Sequence, residues 1–356
     1  MYHPTGNLPL VFAASSVLSP TPPWQYLAGM RIVFMGTPQY AVPSLAALAS
    51  FAPRHELAAI VTQPDRAKGR SRKPQPPAVK TASLELGLPA ERILQPETVN
   101  DPATQEALRT LRPDLFCVVS YGAILRRNTL RIPRLALNAH GSLLPRFRGA
   151  APIQAALLAG DAETGVTIQK MVRKMDAGPI LLRHATPIRP GETAGELHDR
   201  LAELSAQCFK EAIEILERGQ PAFEAQDETQ VTFAPKLTKE SGTVDWSREA
   251  AFVERFIRAM SPWPGAWTSV AMGNRQTKRL RIGLTSLTKE MAPPGEPGDA
   301  CCAVDDVSKA AHLLVRCGDG IGLSVATLQP EGGREMTVGA WLRGAGRCCG
   351  DSCKLA

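Results

Sequence analysis

Residues 138–154, with the sequence NAHGSLLPRFRGAAPIQ, carry the side chains with the clearest capacity for chemistry. Asn138 and His140 are two residues apart, and on an extended strand this spacing directs both side chains to the same face. Leu135 and Leu137 precede the pair, which predicts that it ends a buried strand. Ligands of open α/β sheets bind beyond the carboxyl ends of the strands, so an amide donor and a titratable ring would face one reaction space.

A carboxylate is predicted to join this pair. Asp176 lies 36 residues beyond His140, in the segment KMDAGPI, on a turn after a predicted strand. A nearby carboxylate favours a charged imidazolium, which together with the Asn138 amide could stabilise an oxyanion. This set suits acyl transfer between two nitrogens and needs no serine or cysteine nucleophile when an amine attacks. From spacing alone, a buried Asn–His pair that only closes hydrogen bonds is an equally good interpretation.

A second candidate site is the basic loop, residues 65–80 (DRAKGRSRKPQPPAVK), in which glycine and proline predict a loop rather than a helix. Its six basic residues are Arg66, Lys68, Arg70, Arg72, Lys73 and Lys80. Such cations neutralise phosphates, and guanidinium planes contact bases. A solvated basic loop without a partner is the common alternative.

The composition of the chain favours a polyanionic partner. The 356 residues suit two domains better than one, and 44% of them are hydrophobic. The net charge of +7 favours a nucleic acid over an acidic small molecule alone. The excess continues in residues 236–284, which carry nine Lys or Arg against four Asp or Glu.

Cysteine usage and the amino terminus indicate a cytoplasmic protein without a metal site. The eight cysteines include a cluster at 348, 349 and 353 that lacks the ligand spacing of zinc sites, so we expect reduced thiols and no metal. Residues 1–29 hold five prolines and no Lys, Arg, Asp or Glu. They are interpreted as a disordered extension, or as sequence upstream of a natural start at Met30. No segment predicts a membrane helix, and a monomer is expected.

Alternating strands and helices predict an α/β fold, a doubly wound and mainly parallel sheet. The predicted strands are 31–35, 57–62, 115–120, 135–138 and 165–171, and the predicted helices are 41–51, 101–111, 151–160 and 193–219. A dinucleotide-binding sheet is disfavoured, because the first turn, FMGTP, has one glycine where that fingerprint needs three.

The pattern changes after the last of these helices. Residues 220–235 are predicted to be a linker crossing the surface, and residues 248–260 an amphipathic helix. Short strand-like runs punctuated by Gly and Pro follow, as in a small β-barrel. The predicted organisation is therefore an extension (1–29), a catalytic domain (30–219), a linker (220–235), a barrel domain (236–345) and a tail (346–356).

The run NAHGSLLPRFRGAAPIQAALLAGDAETGVTIQKM, with MDAGPIL after it, resembles the formyltransferases that use 10-formyltetrahydrofolate. Within them it resembles the branch that formylates methionyl-tRNA. The resemblance extends to FMGTPQYAVPSL, VTQPDRAKGR, VVSYGAIL and the later run QDETQVTFAPKLTKESGTVDW, and covers most of residues 30–344. It implies a Rossmann-like formyltransferase sheet followed by an OB-like barrel that contacts tRNA.

The resemblance also implies roles for individual residues. Asn138, His140 and Asp176 take the catalytic roles. The folate donor is expected against Ser142, Leu143, Leu144 and Pro145. The basic loop is expected to engage the tRNA acceptor end, with Arg70 as the matching arginine and Arg66, Lys68, Arg72 and Lys73 beside it.

The expected reaction is transfer of the formyl group of 10-formyltetrahydrofolate to the α-amine of methionine on initiator tRNA, for translation initiation. Two alternatives remain open at this point. The same chemistry could serve a small amine such as glycinamide ribonucleotide or an amino sugar, although the basic loop and basic barrel disfavour it. The chain could also be a tRNA-binding protein without catalytic activity.

Overall fold

The computed structural model describes residues 29–67, 73–219, 221–271, 277–304, 310–344, 346 and 352–356. The predicted extension up to residue 28 lies outside these ranges, as do the basic residues Lys68, Arg70 and Arg72 and the cysteines Cys348 and Cys349. Within the described ranges, no helix has the length and apolar character needed to cross a membrane.

The amino-terminal half is built on one central sheet. The first ten strands of the described chain are β1 (Arg31–Gly36), β2 (Glu56–Val61), β3 (Arg66–Ala67), β4 (Pro74–Gln75), β5 (Ile93–Leu94), β6 (Leu115–Val119), β7 (Leu135–His140), β8 (Arg148–Gly149), β9 (Glu163–Lys170) and β10 (Ile180–Pro187). Seven of them pair in the order β10-β9-β7-β6-β1-β2-β5. The pairs from β7 to β5 are parallel, whereas β9 and β10 are antiparallel additions at one edge. The predicted mainly parallel sheet is confirmed.

Both faces of this sheet are covered, which explains why its strands are almost continuously apolar. Alternate residues of β1 enter different cores: Ile32 and Phe34 belong to one cluster, Val33 and Met35 to the other. The helices of the described chain are α1 (Val42–Ala49), α2 (Ala78–Glu85), α3 (Pro102–Thr110), α4 (Arg127–Leu130), α5 (Pro152–Ala159), α6 (Ala194–Glu217), α7 (Ala250–Met260) and α8 (Val338–Arg343). The sheet is therefore doubly wound, as the sequence predicts.

The carboxyl-terminal half is an antiparallel barrel. Its strands, together with a short strand in the segment before it, are β11 (Phe233–Ala234), β12 (Ala266–Ala271), β13 (Thr277–Ile282), β14 (Thr285–Met291), β15 (Asp299–Val304), β16 (Ala311–Arg316), β17 (Ile321–Val325), β18 (Thr327–Pro330), β19 (Met336–Thr337) and β20 (Ser352–Lys354). The pairs β13–β18 and β14–β17 lie in different sheets. The chain passes between these sheets at Leu284 and Ala326, which are joined by a hydrogen bond of 2.9 Å.

The last residues of the chain close this barrel, although the sequence analysis assigns them to a separate tail. Strand β20 pairs with β15, and Leu355 forms a bridge with Val270 of β12. Ser269 and Ala356 exchange two backbone hydrogen bonds, of 2.8 and 2.9 Å. Leu355 is 1% exposed. The closing strand satisfies the edges of β12 and β15, which would otherwise present unpaired backbone groups.

The two halves share one core. Helix α7 packs against α5, and Val253, Ile257 and Met260 on its predicted apolar face are buried in the same cluster as the α6 side of the central sheet. Arg258 donates to the Glu192 carbonyl at 2.9 Å, and the Gly195 amide donates to Ser261 across the same junction. The barrel is therefore fixed against the central sheet by apolar packing and by hydrogen bonds to backbone carbonyls.

A buried histidine ties the start of β1 to the end of α6. The Nδ1 atom of His55 accepts the Met30 amide at 3.1 Å, so the ring proton resides on Nε2, 2.8 Å from the Glu217 carboxylate. His55 is 2% exposed, and burial lowers its pKa below the ordinary value of 6.5 although the Glu217 hydrogen bond acts in the opposite direction. Protonation of Nδ1 would remove the acceptor of the Met30 amide.

We expect the free energy of unfolding of the amino-terminal domain to decrease as the pH is lowered, because of His55. In the unfolded chain His55 takes up a proton near pH 6.5, whereas in the native chain it does so only at lower pH. The contribution of His55 to the free energy of unfolding is fully present above pH 6.5. Below pH 6.5 it declines by at most about 1.4 kcal/mol per pH unit, until the pH falls below the pKa of His55 in the native chain. Urea unfolding at pH 7.5 and 5.5 should show a smaller loss of unfolding free energy in His55→Asn than in the wild type. The asparagine side-chain carbonyl can accept the Met30 amide and does not titrate. Equal declines in both proteins would contradict this role.

We expect Leu355→Ala to destabilise the barrel. Removing a buried leucine leaves a cavity and costs about 2–5 kcal/mol. The matched control is Lys354→Ala, which removes a partly exposed side chain and its 3.2 Å ion pair with Asp299, a contribution of no more than about 1 kcal/mol. Thermal unfolding of both variants checks the difference, and similar shifts would show that the last residues do not close the barrel.

Candidate active site

Strand β7 delivers Asn138 and His140 to the carboxyl edge of the parallel strands. His140 is 6% exposed and Asn138 is half-buried. Among the described residues, the Asn138 carboxamide has no hydrogen-bond partner, whereas the neighbouring polar side chains of the site are paired. A half-buried amide donor without an internal partner is available to an external acceptor.

The position of the His140 ring defines its tautomer. Its Nε2 atom lies 2.8 Å from the Phe147 carbonyl oxygen, which only accepts, so Nε2 carries a proton. Its Nδ1 atom lies 3.7 Å from Asp176 Oδ2. This separation exceeds a hydrogen bond and falls within the distance of an ion pair. The structure thus places the two predicted partners side by side.

Asp176 sits on a turn, residues 174–178, closed by a hydrogen bond from Ala177 to Lys174. Its φ of 51° is in the left-handed region, which aspartate enters more readily than most residues. Its Oδ2 accepts the Gly149 amide at 2.9 Å and its Oδ1 accepts Gln169 Nε2 at 3.1 Å. Two donors from separate segments therefore fix the carboxylate in the orientation that faces His140.

Gln169 links the carboxylate to the strand that carries Asn138. It lies opposite Asn138 in the β7–β9 pair, and directly opposed side chains in a sheet lie close together on one face. Its Oε1 accepts the Gly178 amide at 3.2 Å, so its Nε2 must point to Asp176. Asn138, His140 and Asp176 consequently lie in neighbouring positions at the edge of the sheet.

The segment expected to hold the folate donor is divided between the interior and the surface. Ser142 and Leu144 are fully buried, and the Ser142 hydroxyl donates to the Arg146 carbonyl at 2.6 Å. Leu143 and Pro145 are half-buried. Leu143 lines a cavity of about 250 Å³ together with Arg146, Phe147 and residues 161–164. Within residues 142–145, Leu143 and Pro145 are therefore the two residues with side chains that are partly accessible at the surface.

The described ends of the basic loop are anchored to the central sheet. Lys80 Nζ contacts both Asp65 oxygens at 2.9 Å, and Gln95 donates to the same carboxylate at 2.6 Å. The Gln95 hydrogen bond, then that of Lys80, lowers the pKa of Asp65. Arg66 pairs with Glu97 at 3.2 Å, and Lys73 is exposed. Lys80 thus supports the loop, and Arg66 and Lys73 lie at its surface.

The loop and Asn138 occur at the same edge of the sheet. Residue 65 follows the carboxyl end of β2, which is three strands from β7 in the parallel part of the sheet. At a strand spacing of about 4.8 Å, the base of the loop is roughly 14 Å from Asn138. A polymer bound by the loop could therefore place its end at the site.

The sequence analysis missed the residues that hold the catalytic candidates in place. These are Gly149, Gln169 and Gln226, each of which contacts Asp176. Gly149 has a φ of 125°, and a Cβ there would collide with the Ala234 carbonyl. The glycine in RGAAP is a detectable signal, whereas Gln169 and Gln226 lie in ordinary strand and linker sequence.

No group of three or more His, Cys, Asp or Glu within the described ranges could hold a metal ion. The arrangement instead offers a hydrogen-bond donor, a ring that can carry positive charge and an adjacent carboxylate. Such a set stabilises negative charge on an acyl oxygen and moves a proton.

Comparison with protein families identifies both halves of the chain. The model described as formyl transferase matches residues 30–213, and the model described as formyl transferase, C-terminal domain, matches residues 236–346. A methionyl-tRNA formyltransferase of Pseudomonas paraeruginosa (strain DSM 24068 / PA7) is 44% identical over 308 residues, 86% of this chain and 93% of that protein. A methionyl-tRNA formyltransferase of Moorella thermoacetica (strain ATCC 39073 / JCM 9320) is 43% identical over 88% of this chain and 96% of that protein.

Solved structures share the fold at lower identity. HypX from Aquifex aeolicus in complex with tetrahydrofolic acid matches 88% of this chain with a TM-score of 0.57 and 20% identity; this chain spans 47% of HypX. An N-formyltransferase from Helicobacter canadensis in complex with folinic acid and dTDP-3-aminofucose matches 83% of this chain and 98% of its own, with a TM-score of 0.57 and 14% identity.

Proposed function

This chain belongs to the formyl transferase family, and we propose that it transfers the formyl group of 10-formyltetrahydrofolate to the α-amino group of methionyl initiator tRNA. The observation that carries the proposal is the meeting of Asn138, His140 and Asp176 at one edge of the sheet. The named relatives, at 43–44% identity over nearly their full length, support the acceptor. This acceptor implies translation initiation and a cytoplasmic location.

The proposed reaction exchanges one C–N bond for another. The neutral methionyl amine attacks the formyl carbon, a C–N bond forms, and the carbonyl oxygen takes up negative charge. Collapse of this tetrahedral intermediate breaks the bond between the formyl carbon and N10 of the folate. The attacking nitrogen loses a proton, and N10 gains one. Asp176 is suited to move this proton, through a water molecule, because its carboxylate is fixed beside the reacting space.

Asn138 and His140 share the stabilisation of the oxyanion. The Asn138 carboxamide is the direct donor, since it is not engaged by other described residues. His140 donates its Nε2 hydrogen to the Phe147 carbonyl and directs Nδ1 toward Asp176, so the proposed contribution of the ring to the oxyanion is positive charge rather than a direct hydrogen bond. Removing one oxyanion donor from such a site costs on the order of a hundredfold in rate.

The folate donor is proposed to lie against residues 142–145. Leu143 and Pro145 offer apolar surface, while Ser142 and Leu144 support the turn from inside. Thr167 joins this turn to β9, since it donates to the Ser142 carbonyl at 2.7 Å and accepts the Leu144 amide at 3.1 Å. A turn held in this way is a pre-formed surface for a flat pterin ring.

The tRNA acceptor end is proposed to be held by the basic loop, with Arg70, Arg66, Lys68, Arg72 and Lys73 as contacts. The anchored base of the loop and its place at the same sheet edge as Asn138 support this assignment. Residues 236–284 supply further cations, nine Lys or Arg against four Asp or Glu. These cations lie on a domain that shares one core with the catalytic sheet, which fixes its distance from the reaction.

We expect Asn138→Ala and Asp176→Ala to lower kcat for formylation of methionyl initiator tRNA, each on the order of a hundredfold. Asn138→Ala should leave the unfolding temperature nearly unchanged, because the side chain supports no described hydrogen bond. The measurement is single-turnover transfer of labelled formyl from 10-formyltetrahydrofolate. Near-normal turnover in both variants would overturn the assignment. Preferred transfer to a small amine, or tRNA binding without transfer, would favour the alternative functions.

We expect Arg70→Ala to weaken the use of tRNA without impairing the chemical step. The variant should raise KM for methionyl-tRNA and reduce the slope of log K against log salt by about 1, as for one lost phosphate contact. Arg109→Ala is the charge-matched control: it lies at the end of α3, which precedes β6, and thus at the opposite edge of the sheet. Equal effects of the two substitutions would show that only net charge matters.

A further inference from the structure

The segment between the two domains enters the candidate active site. Gln226 is half-buried, and its Nε2 donates to the Asp176 carbonyl at 2.9 Å and to the Gly178 carbonyl at 2.7 Å. Both carbonyls belong to the turn that carries the Asp176 carboxylate. The two carbonyls are the shortest contacts of this nitrogen, and Gln169 Oε1 lies next at 3.3 Å.

The other end of the Gln226 amide is held by a buried cation. Its Oε1 accepts from Arg148 Nε at 3.0 Å and from Arg148 Nη2 at 2.7 Å. Arg148 is 1% exposed and has no acceptor of its own to offer. This bidentate contact orients the amide, because it forces the oxygen toward Arg148 and the nitrogen toward the turn.

A second residue of the same segment binds the start of the turn. Glu228 contacts Arg148 Nη2 at 2.8 Å and Lys174 Nζ at 2.7 Å. The hydrogen bonds from Arg148 and then Lys174 lower the pKa of Glu228 to about 2, so its carboxylate is charged at neutral pH. The turn is thus held at residue 174 by one side chain and at residues 176 and 178 by another.

These contacts matter because the Asp176 backbone is in a conformation that costs energy. A left-handed φ is unfavourable for residues other than glycine, although less so for aspartate than for most, and surrounding interactions help to maintain it. The Gly149 and Gln169 hydrogen bonds fix the carboxylate, but only Gln226, among the described residues, holds the carbonyls on both sides of Ala177.

We propose that Gln226 is a positioning residue for Asp176, and that the interdomain segment thereby sets the geometry of the reacting centre. The inference rests on the proposed function, since it takes Asp176 to be catalytic. Gln226 touches neither substrate. It acts by holding the turn that aims the carboxylate at the space between Asn138 and His140.

The test uses the substitution Gln226→Glu in the full-length enzyme. Glutamate keeps the acceptor for Arg148 but replaces the two N–H donors with an oxygen that faces the carbonyls of Asp176 and Gly178. We expect kcat to fall about 10- to 100-fold, as for a reacting group displaced by about 1 Å, with KM for tRNA and folate nearly unchanged. The matched control is Gln230→Glu, the same change at an exposed glutamine of the same segment, which contacts Asp227.

The double variant that combines Gln226→Glu with Asp176→Ala distinguishes positioning of Asp176 from a general effect on the structure of the site. If Gln226 acts through Asp176, Gln226→Glu causes no further loss in the Asp176→Ala background. The same loss in both backgrounds, or equal activity of Gln226→Glu and Gln230→Glu, overturns the inference. Near-normal turnover of Asp176→Ala alone overturns the proposed catalytic assignment instead.

A second variant keeps the test decisive if Gln226→Glu does not fold. Gln226→Asn retains the amide but withdraws it from the turn by one methylene, and should lower kcat with wild-type KM values. Unfolding temperatures are measured for every variant. An Asn variant with wild-type kcat would overturn the positioning role.

Discussion

The structure of the site depends on one constraint: Asp176 must keep a left-handed backbone while its carboxylate faces His140. This backbone conformation is unfavourable even for aspartate, and interactions from elsewhere in the fold stabilise it. They come from the loop after β7, from β9 and from the interdomain segment, through Gly149, Gln169 and Gln226 respectively. Each of these segments is in turn positioned by the central sheet.

The antiparallel edge of the sheet is what brings the carboxylate to the amide. Strands β7 and β9 overlap over four residue pairs, from Leu137–Lys170 to His140–Thr167. Because the overlap is short, the carboxyl ends of two opposed strands lie within a few residues of each other. The turn that follows β9 therefore reaches the end of β7 within six residues, from Lys170 to Asp176.

Local sequence was sufficient for most elements of the central sheet and for singling out Asn138, His140 and Asp176, whose catalytic roles stay a prediction. The strands and helices of the central sheet follow from apolar runs and caps, and the spacing of Asn138 and His140 gives their common face. Asp176 could be singled out from the sequence because its turn has a recognisable sequence. Gln226 and Leu355 could not, because their roles depend on which distant backbone groups they meet after folding. A polar residue in a linker and a leucine near the terminus have no local pattern that distinguishes them from solvent-exposed positions.

The structure therefore separates the two domains less sharply than the sequence analysis does. Residues 226–234 complete the catalytic domain: Thr232 accepts the Phe147 amide at 2.8 Å, and Ala234 pairs beside Gly149. Phe147 is the residue whose carbonyl holds His140. The same segment leads directly into the basic barrel, whose core is continuous with that of the sheet. A polyanion held by the barrel would thus be held by a body that also fixes His140 and Asp176, so acceptor binding and orientation of the reacting groups share one framework.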